Sequence, residues 1–342
     1  MAEVRKFSGR TIEKKAGRAE LSGEPLPSAR IRVGVSACLL GEPVRYDAGH
    51  KHDRYVTDVL AAHFEMVSVC PEVEAGMGTP REPVRLVRTG GEVRMRGVTS
   101  GADHTDTMRR FARRRIAALS RLGICGYILK KSSPSCGMER VRVYTSAGMP
   151  SDSTSGIFAA ELLAALPHLP VEEEGRLCDA VLRESFIERV FAHHRVAGLF
   201  AGRWTMKSLV DFHTREKMLL SAHQPAAATA LGRIVAGASA MPRSEVAAQY
   251  RTAFLAALAK PAVRRRHVNV LQHMLGQFRN VLDARARAAL AAVIEDYRRE
   301  LVPLVVPITL VRHYVDLHGI ETLARQTYLE PHPRELLLRN HV

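Results

Sequence analysis

Five cysteines stand in a chain of 342 residues, an odd and sparse set. In a reducing compartment such residues serve as thiols, metal ligands or nucleophiles rather than as a disulfide framework. Three of them occupy related positions: Cys38 follows a short apolar run, Cys70 ends a second, and Cys136 lies in the loop after a third. If these runs are parallel strands, their carboxyl ends open on one crevice, and thiols far apart in sequence meet there. Three convergent thiolates suit a soft centre such as zinc, copper or an iron-sulfur cluster. The residues alone leave the metal open. Structural zinc usually shows paired C-x2-C spacing, and a zinc deaminase shows H-x-E with P-C-x-x-C; neither pattern is present. The plainer alternative is three small buried core residues. Against it stand their surroundings, Ser36-Ala37-Cys38-Leu39-Leu40-Gly41, Cys70-Pro71-Glu72 and Lys131-Ser132-Ser133-Pro134-Ser135-Cys136-Gly137, which are rich in turn-forming and hydrogen-bonding residues.

The elements that must place these loops follow from the pattern of apolar residues. Ile31 to Ser36, Phe64 to Val69 and Ile124 to Leu129 read as strands, alternating with helices over Asp53 to His63 and Ala102 to Leu122, the signature of an α/β domain with a largely parallel sheet and flanking helices. Val84 to Val87 and Glu92 to Met95 flank Gly90-Gly91 and read as a hairpin inserted in that layer. A helix over Ala159 to Leu166 precedes Pro167 to Gly175, whose Glu172-Glu173-Glu174 run suits a boundary. Beyond it the texture is helical: Ala180 to Leu199, Met206 to Ala222, Ser244 to Ala259, Ala262 to Leu282, Ala284 to Arg299 and Thr309 to His318. The expected organisation is a basic tail over residues 1–28, an α/β domain over 29–170, a linker over 171–184 and an all-α domain over 185–342.

Composition bounds the function. No stretch offers the roughly 18 uninterrupted apolar residues of a membrane span, and the N-terminus lacks the apolar core of a secretory signal, so the expectation is a soluble, cytoplasmic protein. A net charge of +15 makes a polyanion a plausible partner. The surplus leans toward the first half, with 26 basic and 16 acidic residues in 1–150 leaving +10 there and +5 beyond. Arg109, Arg110, Arg113, Arg114 and Arg115 on one predicted helix, and Arg264, Arg265, Arg266 and His267 on another, either contact phosphates or solvate a helix face.

The three cysteine segments, with Arg45-Tyr46-Asp47 and the stretch from Gly76 to Arg81, resemble those of the thiouracil desulfidase (TudS-like) family over roughly residues 31 to 165. The resemblance implies a 4Fe-4S cluster bound by Cys38, Cys70 and Cys136 with its fourth iron free. Cys125 and Cys178 are then spare, and both are expected to be buried packing residues. The second half resembles a helical module of formerly unknown function through Arg203-Trp204, Arg264 to Leu271, Val302 to Thr309 and Tyr328-Leu329-Glu330-Pro331. The fusion of the two resembles the RudS type of tRNA 4-thiouridine desulfidase, and this resemblance, rather than composition, selects tRNA over a free base.

These implications lead to one expected function, conversion of 4-thiouridine in tRNA to uridine by net hydrolysis. Glu72, held near the cluster by its spacing from Cys70, is the expected acid/base. Ser132 is expected to hydrogen-bond the pyrimidine or relay a proton, with Ser133 as its neighbouring alternative, and Asp47 is a weaker substrate-binding candidate that otherwise reads as a turn residue. His193, His273 and His313 receive no role, and Trp204 reads as core. Two rivals remain: desulfuration of free thiopyrimidines such as 2-thiouracil, and an RNA-binding module with a structural metal and no turnover.

Overall fold

The computed structural model describes residues 30–341, so the tail expected over residues 1–28 lies outside the described residues. In chain order the first half runs β1 (Ile31–Ser36), α1 (Ala61–His63), β2 (Phe64–Val69), β3 (Val84–Thr89), β4 (Glu92–Gly97), α2 (Thr105–Leu122), β5 (Gly126–Leu129), β6 (Val141–Tyr144), β7 (Pro150–Thr154), α3 (Ile157–Ala165) and β8 (Val171–Glu173). Four of these strands form a wholly parallel sheet in the order β2-β1-β5-β8. Since β2 lies on one side of β1 and β5 on the other, the chain reverses its direction of travel across the sheet at β1. The crevice beyond the carboxyl ends of β1 and β5 is therefore the place where this topology opens a site.

The predicted hairpin exists as β3–β4, but it is not inserted in the main layer. It belongs to a second, mixed sheet in the order β4-β3-β6-β7, with β3 and β6 parallel and the other pairs antiparallel. The expected linker also differs from what is found. Val171–Glu173 is the edge strand of the parallel sheet, and Glu172, Glu173 and Glu174 are all buried. Charge misled here because each carboxylate meets a donor: Glu172 receives Arg176, Glu173 the Met138 amide at 2.7 Å, and Glu174 the Lys131 amide at 2.8 Å together with the Lys130 ammonium. Burial of an ionised group is tolerated when it is paired.

From Ala180 onward the described chain is helical: α4 (Ala180–Phe200), α5 (Met206–His223), α6 (Pro225–Gly237), α7 (Arg243–Leu258), α8 (Arg264–Gln277), α9 (Ala284–Arg298), α10 (Val305–His318) and α11 (Glu321–Ala324). Asp179, Thr205 and Asp283 cap α4, α5 and α9 with their side chains, the sequence signals by which those helices are legible. Helix α6 was not anticipated. α10 begins four residues earlier than expected, with Pro307 in its first turn, where a missing amide hydrogen costs no bond. No helix among the described residues is long and apolar enough to cross a membrane.

Three apolar clusters hold the molecule together. Leu119, Tyr127, Leu129, Val143 and Phe158 fill the space on the α2 and α3 side of the parallel sheet. The opposite face, Ile31, Val33, Val35 and Ile128, packs on Phe186, Ile187 and Val190 of α4, and is closed by Leu336 and Leu338 from the end of the chain. The third cluster fills the helical half, where Trp204 is buried as expected, edge-on to Phe200 at 5.4 Å. Helix α4 thus serves two cores at once.

Candidate active site

Each of the three cysteines is delivered by a turn whose geometry is fixed locally. Cys38 sits in a 3-10 turn, Ala37–Leu40, directly after β1, and its carbonyl accepts the Lys51 amide at 2.9 Å. Cys70 follows β2; its amide donates to Glu74 Oε1 at 3.0 Å, and Glu74 is held by Arg115 of α2 at 3.1 Å. Cys136 lies in a loop docked on the start of α3, where the Ile157 and Ala159 amides donate to the carbonyls of Pro134 and Ser135. That docking requires glycine at 156, because a Cβ there would overlap the Ser135 carbonyl.

The three thiols line one cavity of about 350 Å³, together with Glu72, Ser132 and Ser133 and with Arg45, Tyr46, Lys51, Arg81 and Lys130. Burial pushes the Cys38 thiol up to about 11 against the pull of Lys130, and raises Cys70 and, well above its ordinary value, Cys136. A thiol in such surroundings keeps its proton unless a cationic centre takes its place. All three cysteines are free of disulfides. The fully buried Tyr127 hydroxyl has no hydrogen-bond partner, and it lies near enough to Cys136 and Cys70 for their charges to raise it further. No group of three His, Cys, Asp or Glu side chains among the described residues is arranged to hold a metal ion. The three soft sulfur donors lining one cavity suit an iron-sulfur cluster, which Cys38, Cys70 and Cys136 would hold.

Beside the thiols stands a carboxylate gripped from two sides. Glu72 accepts from Ser135 Oγ at 2.6 Å through Oε1, while Arg81 donates to Oε2 with Nε at 3.0 Å and with a second nitrogen. Both partners are nearly enclosed, at 6% exposure for the Arg81 side chain and 12% for Glu72. Arg81 also spans to the Val44 and Gly78 carbonyls at 3.0 and 2.8 Å, which ties the turn before it to the loop after Cys38. The chain of hydroxyls continues from the buried Ser135 to the half-buried Ser133, whose Oγ lies 3.0 Å from Ser135 Oγ. With the Ser135 proton committed to Glu72, Ser133 is the donor in that pair.

The remaining predicted site residues fall differently. Ser132 lines the cavity at its exposed rim, in a left-handed backbone conformation (φ 59°), and is not bonded to Glu72. Ser133 reaches the carboxylate only through Ser135, and its oxygen also receives the Ser135 and Cys136 amides at 3.3 and 3.1 Å. Asp47 does not line the cavity. Its Oδ1 receives the Gly49 amide at 3.1 Å and faces Arg45 at 3.6 Å, which makes it the staple of a tight turn, and that amide holds its carboxyl below the usual range. Cys125 is buried as expected, but Cys178 is exposed, because Leu177 takes the inward position of its turn. In the arginine cluster, Arg113 pairs with Glu161 and Arg115 with Glu74. Arg264 donates to the Tyr297 carbonyl and Arg266 to that of His223, while His267 is buried against the Tyr328 hydroxyl at 2.9 Å. Arg81, Ser135, Lys130 and Glu174 were not singled out from sequence. Ser135 carried a signal in its position beside Cys136; Arg81 closed the Gly76 to Arg81 stretch of the resemblance, but nothing in the sequence tied it to Glu72.

The sequence profile of a family described as 2-thiouracil desulfurase matches residues 33–174, and that of a protein of unknown function, DUF1722, matches residues 217–333. The uncharacterized protein YbgA of Escherichia coli (strain K12) is 35% identical over 158 residues, 46% of this chain and 94% of that protein. The uncharacterized protein YbbK of Bacillus subtilis (strain 168) is 32% identical over 136 residues, 38% of this chain and 89% of its own. The chain belongs to the 2-thiouracil desulfurase family. A solved structure described as the 4Fe-4S-dependent thiouracil desulfidase TudS is 34% identical, covering 43% of this chain and 93% of its own, with a TM-score of 0.35. In this desulfurase-family chain the region matched by the family spans β1 to β8 and contains Cys38, Cys70, Cys136 and Glu72, while the DUF1722 region covers most of the helical half.

Proposed function

We propose that the chain removes sulfur from 4-thiouridine in tRNA, giving uridine and sulfide by net hydrolysis, with a 4Fe-4S cluster held by Cys38, Cys70 and Cys136. The observation that carries this reading is the convergence of three enclosed thiols and a doubly held carboxylate on one cavity. Bound there, the cluster supplies a Lewis-acidic iron for the thiocarbonyl sulfur. The protein's own part is to deliver water and manage its protons.

A carboxylate offers about four acceptor positions, so with two Arg81 donors on Oε2 and Ser135 on Oε1, Glu72 keeps a free position on Oε1. It accepts a proton from water as that water adds to the carbon bearing sulfur. The Arg81 clamp fixes the direction of the carboxylate, and fixed geometry lowers the barrier for such a transfer. The hydroxyl pair Ser133–Ser135 then offers a route by which a proton moves between Glu72 and a group at the cavity wall. In tRNA the thiolated base must leave its stack to enter the cavity. The exposed Arg110 and Arg114 of α2 supply positive charge for the phosphates.

A second reading is favoured by the description of the matched family, namely release of sulfur from a free thiopyrimidine such as 2-thiouracil. Anaerobic purification, iron and sulfide analysis and incubation with 4-thiouridine-containing tRNA decide between them. Loss of the near-ultraviolet absorbance of the thiolated tRNA is expected. Its persistence with an intact cluster, alongside turnover of 2-thiouracil, removes the tRNA reading. If Glu72→Ala abolishes sulfide release and leaves tRNA affinity intact, a purely RNA-binding role is excluded.

A further inference from the structure

The loop from Arg45 to Lys51 forms a lip of the cavity, and nothing in the chemistry above uses it. Its backbone is locked by Arg45 N to Gly49 O at 3.1 Å and Ala48 N to Arg45 O at 3.0 Å, and Asp47 staples it through the Gly49 amide. The Tyr46 carbonyl accepts the Arg81 amide at 2.9 Å, so the lip is tied to the residue that grips Glu72. On this rigid support Tyr46 stands 40% exposed at the cavity wall, with the Arg45 guanidinium 5.4 Å from its ring centre. An aromatic ring so braced yet left in water offers a free face at little conformational cost. Five cations line the cavity, and three are neutralised: Arg81 by Glu72, Lys130 by Glu174, and Arg45 by Asp47. Lys131 is exposed and also enters no ion pair among the described residues, but its side chain lies along Gly175, outside the Arg45–Lys51 lip. Lys51 is exposed and enters no ion pair among the described residues.

We propose that this lip is a nucleotide subsite, in which Tyr46 stacks on the pyrimidine entering the cavity and Lys51 takes a phosphate joined to its ribose. The inference rests on the desulfidase reading and names what that site recognises beyond the sulfur. A bare base needs the ring alone; the unpaired ammonium carried by the same lip is matched by a phosphate ester. That phosphate belongs either to a mononucleotide or to a polynucleotide. Stacking of a base on an aromatic side chain discriminates by one to two orders of magnitude, and an exposed ammonium adds a smaller, salt-sensitive increment.

The test measures dissociation constants by equilibrium dialysis, and KM where turnover occurs, for 4-thiouridine, its 5′-monophosphate and 4-thiouridine-containing tRNA. Tyr46→Leu is expected to weaken 4-thiouridine about tenfold with iron content unchanged, and Tyr46→Phe to restore it. Lys51→Met is expected to raise the ratio of monophosphate to nucleoside dissociation constants about fivefold at low salt. If that ratio holds and only tRNA weakens, the phosphate is a neighbouring one in the polymer, and the subsite stands. Unchanged nucleoside affinity in Tyr46→Leu, or equal weakening of all three ligands by Lys51→Met, overturns the subsite. Absence of sulfide release from every thiolated ligand, with affinities still dependent on Tyr46, overturns the desulfidase reading and leaves the subsite standing.

Discussion

Glu72 sits between two donors that hold different oxygens, Ser135 on one and Arg81 on the other, so its orientation and its protonation can be perturbed separately. Glu72→Gln keeps the shape and the acceptor for Ser135 but removes the base. We expect turnover to fall by about 100-fold or more with iron per chain unchanged, as iron analysis and sulfide release will check. Ser135→Ala leaves the carboxylate and its arginine in place and removes one donor, and a smaller loss of about tenfold in turnover is expected. At this scale the sequence was informative where position alone decides, because a residue at the end of a parallel strand has nowhere to go but the crevice. Cys38, Cys70, Cys136 and Glu72 were legible for that reason. Arg81 was not, since its reach to Glu72 depends on the path of the turn between them. Asp47 was left between ligand and turn residue because an aspartate two residues before a glycine serves either, and here the Gly49 amide claims it for the turn.

Among the elements, β8 does more than close the sheet. Its two glutamates, with Glu174 directly after it, hold the loop from Lys130 to Glu139 that carries Ser133, Ser135 and Cys136, through the Lys131 and Met138 amides and the Lys130 and Arg176 side chains. The Lys130–Glu174 pair is largely enclosed, with 13% and 9% of its side chains exposed. Breaking such a pair leaves a charge without its partner, so Glu174→Ala is expected to destabilise the fold by about 3 kcal/mol, read from the midpoint of chemical denaturation. An unchanged midpoint would show that the clamp carries no weight. This strand was read as a linker because a run of glutamates beside proline is usually solvated, and only its donors, none adjacent in sequence, reveal otherwise. Helix α6 escaped notice for a related reason: Pro225–Gly237 is mostly alanine, glycine and other small residues, which show little contrast between an inner and an outer face. The capped helices α4, α5 and α9 were easier, because Asp179, Thr205 and Asp283 announce their starts.

The whole molecule is joined along α4. Its Phe186, Ile187 and Val190 pack beneath the parallel sheet, while Glu184 and Glu188 of the same helix receive Arg339 from the end of the chain, and Glu188 also pairs with His223 of α5. Burial outweighs Arg339 at Glu184 and pushes its carboxyl up to about 7. A carboxyl with a raised pKa in the folded state binds its proton more tightly there than in the unfolded chain, where the value is 4.5. Its contribution to stability is therefore complete below that unfolded value and is lost as pH rises through 7. The melting temperature is expected to drop between about pH 5 and about pH 8, and Glu184→Gln, which keeps an acceptor for the Arg339 amide, to flatten that slope. On the proposed substrate, affinity for tRNA is expected to fall steeply as salt rises from about 50 to about 200 mM, whereas a free thiopyrimidine responds little. The same seam bears on how the protein comes into being. Leu336 and Leu338 complete the core under β1 and β5, yet they are synthesised only after helices α4 to α11. Domains usually fold in the order in which they leave the ribosome. Here the sheet must wait with one apolar flank uncovered until the segment bearing Leu336 and Leu338 emerges, so a nascent chain stalled before Leu336 is a client for chaperones rather than a finished first domain.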